Sequence, residues 1–153
     1  MGNVQPIPEG YAAVTPYLTV QGAEAALKFY QAAFGGEEGL RLEMPDGKLG
    51  HAEIKIGDSV IMLSDEFPDM DMPSPHRLGG TAVSLHLYVS DVDAVFQQAI
   101  AAGASEIEPV KDQFYGDRTG KLKDPFGHIW TVATHIEAVP MAEIKRRLGE
   151  LYT

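Results

Sequence analysis

The chain contains no cysteine, which excludes disulfide staples, thiolate nucleophiles and cysteine-ligated zinc by composition alone. It also lacks any apolar run approaching the ~20 residues a membrane-spanning helix needs, so no membrane partner is expected. Residues Met1 to Tyr11 contain Pro6 and Pro8 and show no charged segment followed by an apolar stretch of the kind that marks export. The cytoplasm is the expected location. Basic charge is scarce, with 12 Lys and Arg against 22 Asp and Glu for a formal net charge of −10. Such a surface repels nucleic-acid phosphates and anionic lipid, so no nucleic-acid partner is expected. The one basic cluster, Lys145, Arg146 and Arg147, shares a helical segment with Glu143 and Glu150 and reads as a solvated helix face. Nucleophile elbows, phosphate loops and zinc spacings are missing too, which removes support from ordinary hydrolase and nucleotide readings.

What remains is an average globular composition over 153 residues, 44% hydrophobic and 22% charged, enough to bury one core without staples. From Thr15 to Val20, Pro16, Leu18 and Val20 alternate with Thr15, Tyr17 and Thr19, the period of a strand with one apolar face. Ala25, Ala26, Phe29, Tyr30 and Ala33 then recur at helical spacing until Gly35 and Gly36, a common helix stop.

The same order returns later. Leu85, Leu87 and Val89 alternate with Ser84, His86 and Tyr88, and the helix that follows ends at Gly103. Aligning Tyr17 with His86 sets an offset of 69 residues, 86 less 17. Each half continues with strand material. The first runs through GLRLEM and GHAEIKIG, turns at Gly57 and Asp58, and returns as SVIMLSD; the second runs through SEIEPVKDQFYGDR and GKLKDP and turns at Pro125 to Gly127 into GHIWTVATH. Each half therefore reads βαβββ, over about residues 12–66 and 82–136.

Between them, residues 67–81 carry Pro68, Pro73, Pro75, Gly79 and Gly80 and predict an irregular connection. Its length fits either a simple linker or a segment that lids a site or reaches a partner subunit. Pro140 suits the first turn of a closing helix over about 140–151, with Met141, Ile144, Leu148 and Leu151 on one stripe. The fold class is thus α+β, a single domain of two βαβββ modules. A module with one helix on four strands leaves one sheet face open, and two such faces side by side predict a curved mixed-sheet cleft, the setting in which small ligands bind.

The duplicated pattern, together with the block Asp112 to His135 and the hairpin Gly50 to Glu66, resembles the PhnB-like branch of the glyoxalase/bleomycin-resistance/dioxygenase (vicinal oxygen chelate) superfamily, over roughly Ala13 to Val139. The resemblance implies a homodimer that holds its ligand inside curved sheets. Activities across that superfamily include isomerisation, oxygenation, ring opening and antibiotic sequestration, so fold does not settle function. Metal-dependent relatives hold a divalent ion with His, Gln and Glu on four strands, and their motifs slide here onto Thr15, Met62, Ser84 and Thr131. Hydroxyls and a thioether are poor ligands for such an ion, and no cofactor is expected at those positions.

Strand parity brings other groups to the same cleft: Tyr17 and Thr19, His51 and Glu53, Met62 and Ser64, His86 and Tyr88. Two readings stand. In the first the protein binds a planar or aromatic small molecule without metal, using Tyr17, His51, Glu53, Met62, His86, Tyr88, Phe114 and Arg118. In the second a relocated triad of His51, His86 and either Glu53 or Asp65 holds iron or manganese for lyase, isomerase or dioxygenase chemistry. Arg118 with Asp117 either fixes a polar ligand through its planar donor fork or forms an internal pair. Phe114 and Tyr115 either close over an aromatic guest or plug the core. Trp130 reads as helix-facing core, His128 as a local cap, and His135 as a strand-end residue.

Overall fold

The computed structural model describes residues 2–153. The chain divides into two compact units, one ending at Gly80 and the other beginning at Thr81. In the first unit β1 (Tyr17–Val20), α1 (Ala23–Phe34), β2 (Glu37–Glu43), β3 (Leu49–Ile56) and β4 (Ser59–Asp65) follow in order. The strands form one sheet in the order β1-β4-β3-β2, with β1 and β4 parallel and the other pairs antiparallel. Helix α1 buries Ala23, Ala26, Leu27, Phe29, Tyr30 and Ala33, while Ala25 faces solvent. Ala26, Phe29, Tyr30 and Ala33 are thus buried as expected, and Ala23 and Leu27 complete the stripe in place of Ala25. Gly35, at φ 68°, ends the helix by donating to the Gln31 carbonyl, and Gly36 donates to that of Tyr30, the left-handed stop for which glycine is suited.

The start of α1 has no cap of its own. Asp65 supplies one from β4: its Oδ1 accepts from the backbone N–H of Gly22 at 3.0 Å and of Ala23 at 2.8 Å, and its Oδ2 from that of Leu49 at 2.8 Å. A carboxylate at a helix N-terminus satisfies orphan donors and complements the helix dipole.

The connection is more ordered than its composition predicts. It holds a 3-10 turn at Pro68–Met70 and a short helix α2 (Pro75–Leu78). Ser74 caps α2 by accepting from Arg77 N–H, and Pro75 occupies the first turn, a pairing that overrides the loop signal of the surrounding prolines and glycines. Glu66 ties the segment down: its Oε1 accepts from Ser74 N at 2.9 Å and Arg77 Nε at 2.6 Å, and its Oε2 from Gln21 Nε2 at 3.1 Å.

The second unit repeats the plan with β5 (Ser84–Tyr88), α3 (Val92–Ala102), β6 (Ser105–Asp112), β7 (Asp117–Lys123) and β8 (Ile129–His135), ordered β5-β8-β7-β6 in the sheet, and adds α4 (Met141–Leu151). Register confirms the internal offset for the parallel pairs, since Tyr17 pairs with Met62 where His86 pairs with Thr131, 69 residues on. In the neighbouring strands Glu53 faces Met62 where Lys121 faces Thr131, a separation of 68, so β7 is one residue out of that offset. At this register Asp65 and Thr134 correspond, and Thr134 also serves the helix start, accepting from Val92 N–H at 2.9 Å and donating to the Val89 carbonyl at 2.8 Å. Trp130 is buried as expected, its indole N–H donating to Asp124, and His128 N–H donates to the same carboxylate. Helix α4 buries none of its residues, and Met141, Leu148 and Leu151 are exposed. Among the described residues no helix is long and apolar enough to cross a membrane.

Candidate functional site

Leu18, Val20, Ala52, Ile54 and Leu63 are buried, so strand alternation turns Tyr17, His51, Glu53 and Met62 to the opposite, helix-free face of the first sheet. There they form a linked set. The Tyr17 hydroxyl lies 3.0 Å from His51 Nδ1, and His51 Nε2 lies 2.7 Å from Glu53 Oε2. The other Glu53 oxygen accepts from the Tyr11 hydroxyl. A carboxylate acceptor requires the proton on His51 Nε2, so in the neutral ring Nδ1 is left to accept from Tyr17. Burial pushes the Glu53 carboxyl up, yet the hydrogen bonds from His51 and Tyr11 and the His51 charge outweigh it and hold the group below its ordinary 4.5. The Tyr11 phenol moves up from 10.0 in response, chiefly because it donates to that carboxylate. Register sets Met62 beside both Tyr17 and Glu53. Ser64, on the same face, has the one buried side-chain oxygen among the described residues without a hydrogen-bond partner.

The corresponding face of the second sheet is wired differently. The His86 and Tyr88 rings sit 4.9 Å apart. The Tyr88 hydroxyl donates to Asp117 Oδ2 at 2.6 Å, and His135 Nδ1 meets Asp117 Oδ1 at 2.8 Å. Asp117 is buried; burial raises its carboxyl, but the bonds from Tyr88 and His135 prevail and hold it below 3.8. Tyr88 is raised in turn from 10.0, first by its hydrogen bond to Asp117.

Several predicted site residues stand elsewhere. Arg118 and Asp117 are neighbours in sequence and fall on opposite faces. The Arg118 fork is occupied by Asp93, through Nε and Nη2 at 2.9 Å each, and its Nη1 by Asp112 at 2.9 Å. Arg118 is thus held in internal pairs, but with Asp93 and Asp112 in place of the expected Asp117, which lies on the other face with Tyr88 and His135. Phe114 packs edge-on against Tyr115 at 5.3 Å, in the turn before β7. Asp65, a candidate metal ligand by composition, spends both oxygens on backbone N–H groups on the helix side. His86 belongs to the second unit and His51 to the first. Tyr11, Asp117 and His135 are the partners that sequence reasoning did not place in the site. Tyr11 precedes the alternating run. For Asp117 and His135 the usable signal was parity with Thr119 and Thr131.

The donors do not fit a divalent ion as they stand. Thr15, Met62, Ser84 and Thr131 offer only neutral oxygens and a thioether, and the Thr15 hydroxyl donates to the Ala12 carbonyl. Both ring nitrogens of His51 and both oxygens of Glu53 are committed to hydrogen bonds. Among the described residues no group of three or more His, Asp or Glu side chains is arranged to hold an ion.

An uncharacterized protein of Mycobacterium bovis is 43% identical over 150 residues, covering 96% of this chain and 95% of its own. Among solved structures, TioX from Micromonospora sp. ML1 superimposes with a TM-score of 0.63 at 27% identity, over 85% of this chain and 99% of TioX. The PhnB protein from Bacillus cereus does so with a TM-score of 0.63 at 21% identity, over 80% and 99% of the two chains, a likeness of fold alone. The family model described as Glyoxalase/Bleomycin resistance protein/Dioxygenase superfamily matches residues 11–132, and the chain belongs to that superfamily.

Proposed function

We propose that the protein binds a small planar or aromatic molecule without metal on the helix-free face of the first unit's sheet, with Tyr17, His51 and Met62 as the principal contacts. The observation that carries this reading is the closed chain Tyr17–His51–Glu53–Tyr11. It holds a histidine and a carboxylate in a fixed orientation while leaving Tyr17, 44% exposed, at the open end. Met62 beside it supplies a polarizable apolar wall suited to an aromatic ring. Within the superfamily we assign the chain to the PhnB-like branch, acting as a homodimer in the cytoplasm.

The test is a thermal-shift screen of planar aromatic compounds and divalent ions, with elemental analysis of protein purified without chelator. A ligand at a hundredfold excess over its Kd stabilises the folded state by about 2.7 kcal/mol. Stabilisation by an aromatic compound that is lost in Tyr17→Phe or His51→Ala supports the reading. Stoichiometric iron, manganese, nickel or zinc that disappears in His51→Ala overturns it in favour of a metal enzyme.

A further inference from the structure

The second unit carries a polar group that the reading above does not use. His135 ends β8 with its side chain 61% exposed, while its Asp117 partner is only 6% exposed. The buried carboxylate accepts from His135 Nδ1 and also from the Tyr88 hydroxyl. With Nδ1 bound to a carboxylate, the neutral ring keeps its proton there and presents a bare lone pair at Nε2. Nε2 has no partner among the described residues.

His135 also lines a cavity of about 520 Å³. The other walls are Tyr115, Ala138, Val139, Pro140 and Ile144, so the histidine is the only group there with a basic nitrogen. The walls are pinned. Arg147 of α4 donates to the Phe114 carbonyl at 3.0 Å and to Glu137 at 2.8 and 3.1 Å, tying the helix to the turn that carries Tyr115. Gly116 in that turn has φ +103°, and a Cβ there would sit 2.2 Å from the Glu137 carbonyl. The turn and the strand extension therefore meet backbone to backbone, with the Gly116 carbonyl accepting from both Ile136 and Glu137 N–H.

We propose that this pocket is a second binding site, specific for small phenols or enols. The apolar body lies against Tyr115, Val139 and Ile144, and its one acidic hydroxyl donates to His135 Nε2. Asp117 is a positioning residue: it fixes the tautomer and ring orientation without touching the ligand. A simple hydrocarbon would leave the lone pair desolvated and unpaired, and a carboxylate would meet a lone pair rather than a donor. The hydroxyl requirement follows from those two costs.

The probe is 4-methylphenol, which like a tyrosine side chain keeps its hydroxyl proton at mildly alkaline pH, where an imidazole ring is neutral; it is followed there through the imidazole ¹⁵N and ¹³C resonances of the full chain. The free protein is expected to show His135 as the Nδ1–H tautomer, and the probe to shift its Nε2 resonance. Asp117→Leu should return the ring to the Nε2–H tautomer and abolish that shift. His135→Ala, at an exposed position, should weaken the probe about tenfold, the equivalent of one neutral hydrogen bond. Ile144→Ser, which cuts the wall and leaves the ring intact, should weaken it while preserving the tautomer. An Nε2–H tautomer in the unmodified protein, no Nε2 response to the probe, or undiminished binding in His135→Ala would each overturn the proposal.

Discussion

In the first unit a histidine stands in the middle of the hydrogen-bonded chain, with Tyr17 and Glu53 on its two nitrogens. In the second a carboxylate stands there, with Tyr88 and His135 on its two oxygens. The strand order and register are the same; the chemistry they present is not. Duplicated topology conserves backbone pairing and the apolar side of each sheet, because a one-residue slip would turn the core outward. The other face is free of that constraint. One unit has thereby closed its histidine into an internal relay, and the other has left a histidine nitrogen free beside a cavity.

The largest expected difference between the units lies under their helices. Asp65 and Thr134 occupy corresponding positions, yet Asp65 alone serves three backbone N–H groups, since Gly22 brings no side-chain cap. Helix α3 has a reserve in Asp91, whose side chain accepts from Ala94 N–H. Asp65→Ala should therefore cost about 3 kcal/mol and Thr134→Ala about 1 kcal/mol in chemical denaturation. Equal costs would mean that Asp91 contributes nothing as a second cap.

A second contrast is one of volume. At the internal offset Phe96 of α3 replaces Leu27 of α1, and by sheet register, opposite Val132 as Ala52 is opposite Leu63, Gly120 of β7 replaces Ala52 of β3. A Cβ on Gly120 would lie 2.8 Å from two Phe96 ring carbons and from Val110 Cγ2. Gly120→Ala is expected to cost about 1–3 kcal/mol by overpacking. Adding Phe96→Leu recreates the first unit's combination and should recover part of that loss, with a coupling of about 1 kcal/mol. Strict additivity in the double-mutant cycle would show that the ring does not set the glycine requirement.

The fold was legible because apolar periodicity repeats, and the register bears out the offset found by aligning Tyr17 with His86. That Tyr17, His51, Glu53 and Met62 share one sheet face was legible by the same parity. What escaped were pairings without a period. Arg118 meets Asp93 across 25 residues and Asp65 meets Gly22 across 43; no local spacing announces either. Residues 67–81 were misread because proline and glycine density hid the Ser74–Pro75 helix start, whose hold on Glu66 is again a long-range matter.

Glu66 itself gives a smaller, pH-dependent test, and its counterpart in the second unit is His135. Hydrogen bonds from Arg77, then from Ser74, hold the Glu66 carboxyl down at about 2, against an ordinary 4.5. A depressed carboxylate contributes stability that is fully present above its unfolded value and lost as pH falls through its folded one. Denaturation midpoints should therefore drop between about pH 4.5 and 2. Glu66→Gln should lower stability near neutrality and shrink that drop, because the amide has no charge to lose. An unchanged acid limb would remove Glu66 as the anchor of the connection.

The smallest effects are expected at the two tyrosines that donate to buried carboxylates, Tyr11 to Glu53 and Tyr88 to Asp117. Each phenol helps to offset the burial that raises its partner. Tyr11→Phe should move the Glu53 carboxyl upward in a ¹³C titration, and Tyr88→Phe should do the same for Asp117, with little change in fold stability. In each variant a histidine still donates to the same carboxylate, so neither group should rise to the value that burial alone would impose. The shift at Asp117 should be the larger, because Tyr88 is the leading opposing influence there, whereas at Glu53 it is His51 that leads. Equal shifts, or a larger one at Glu53, would contradict the assignment of histidine as the centre of the first relay and carboxylate as the centre of the second.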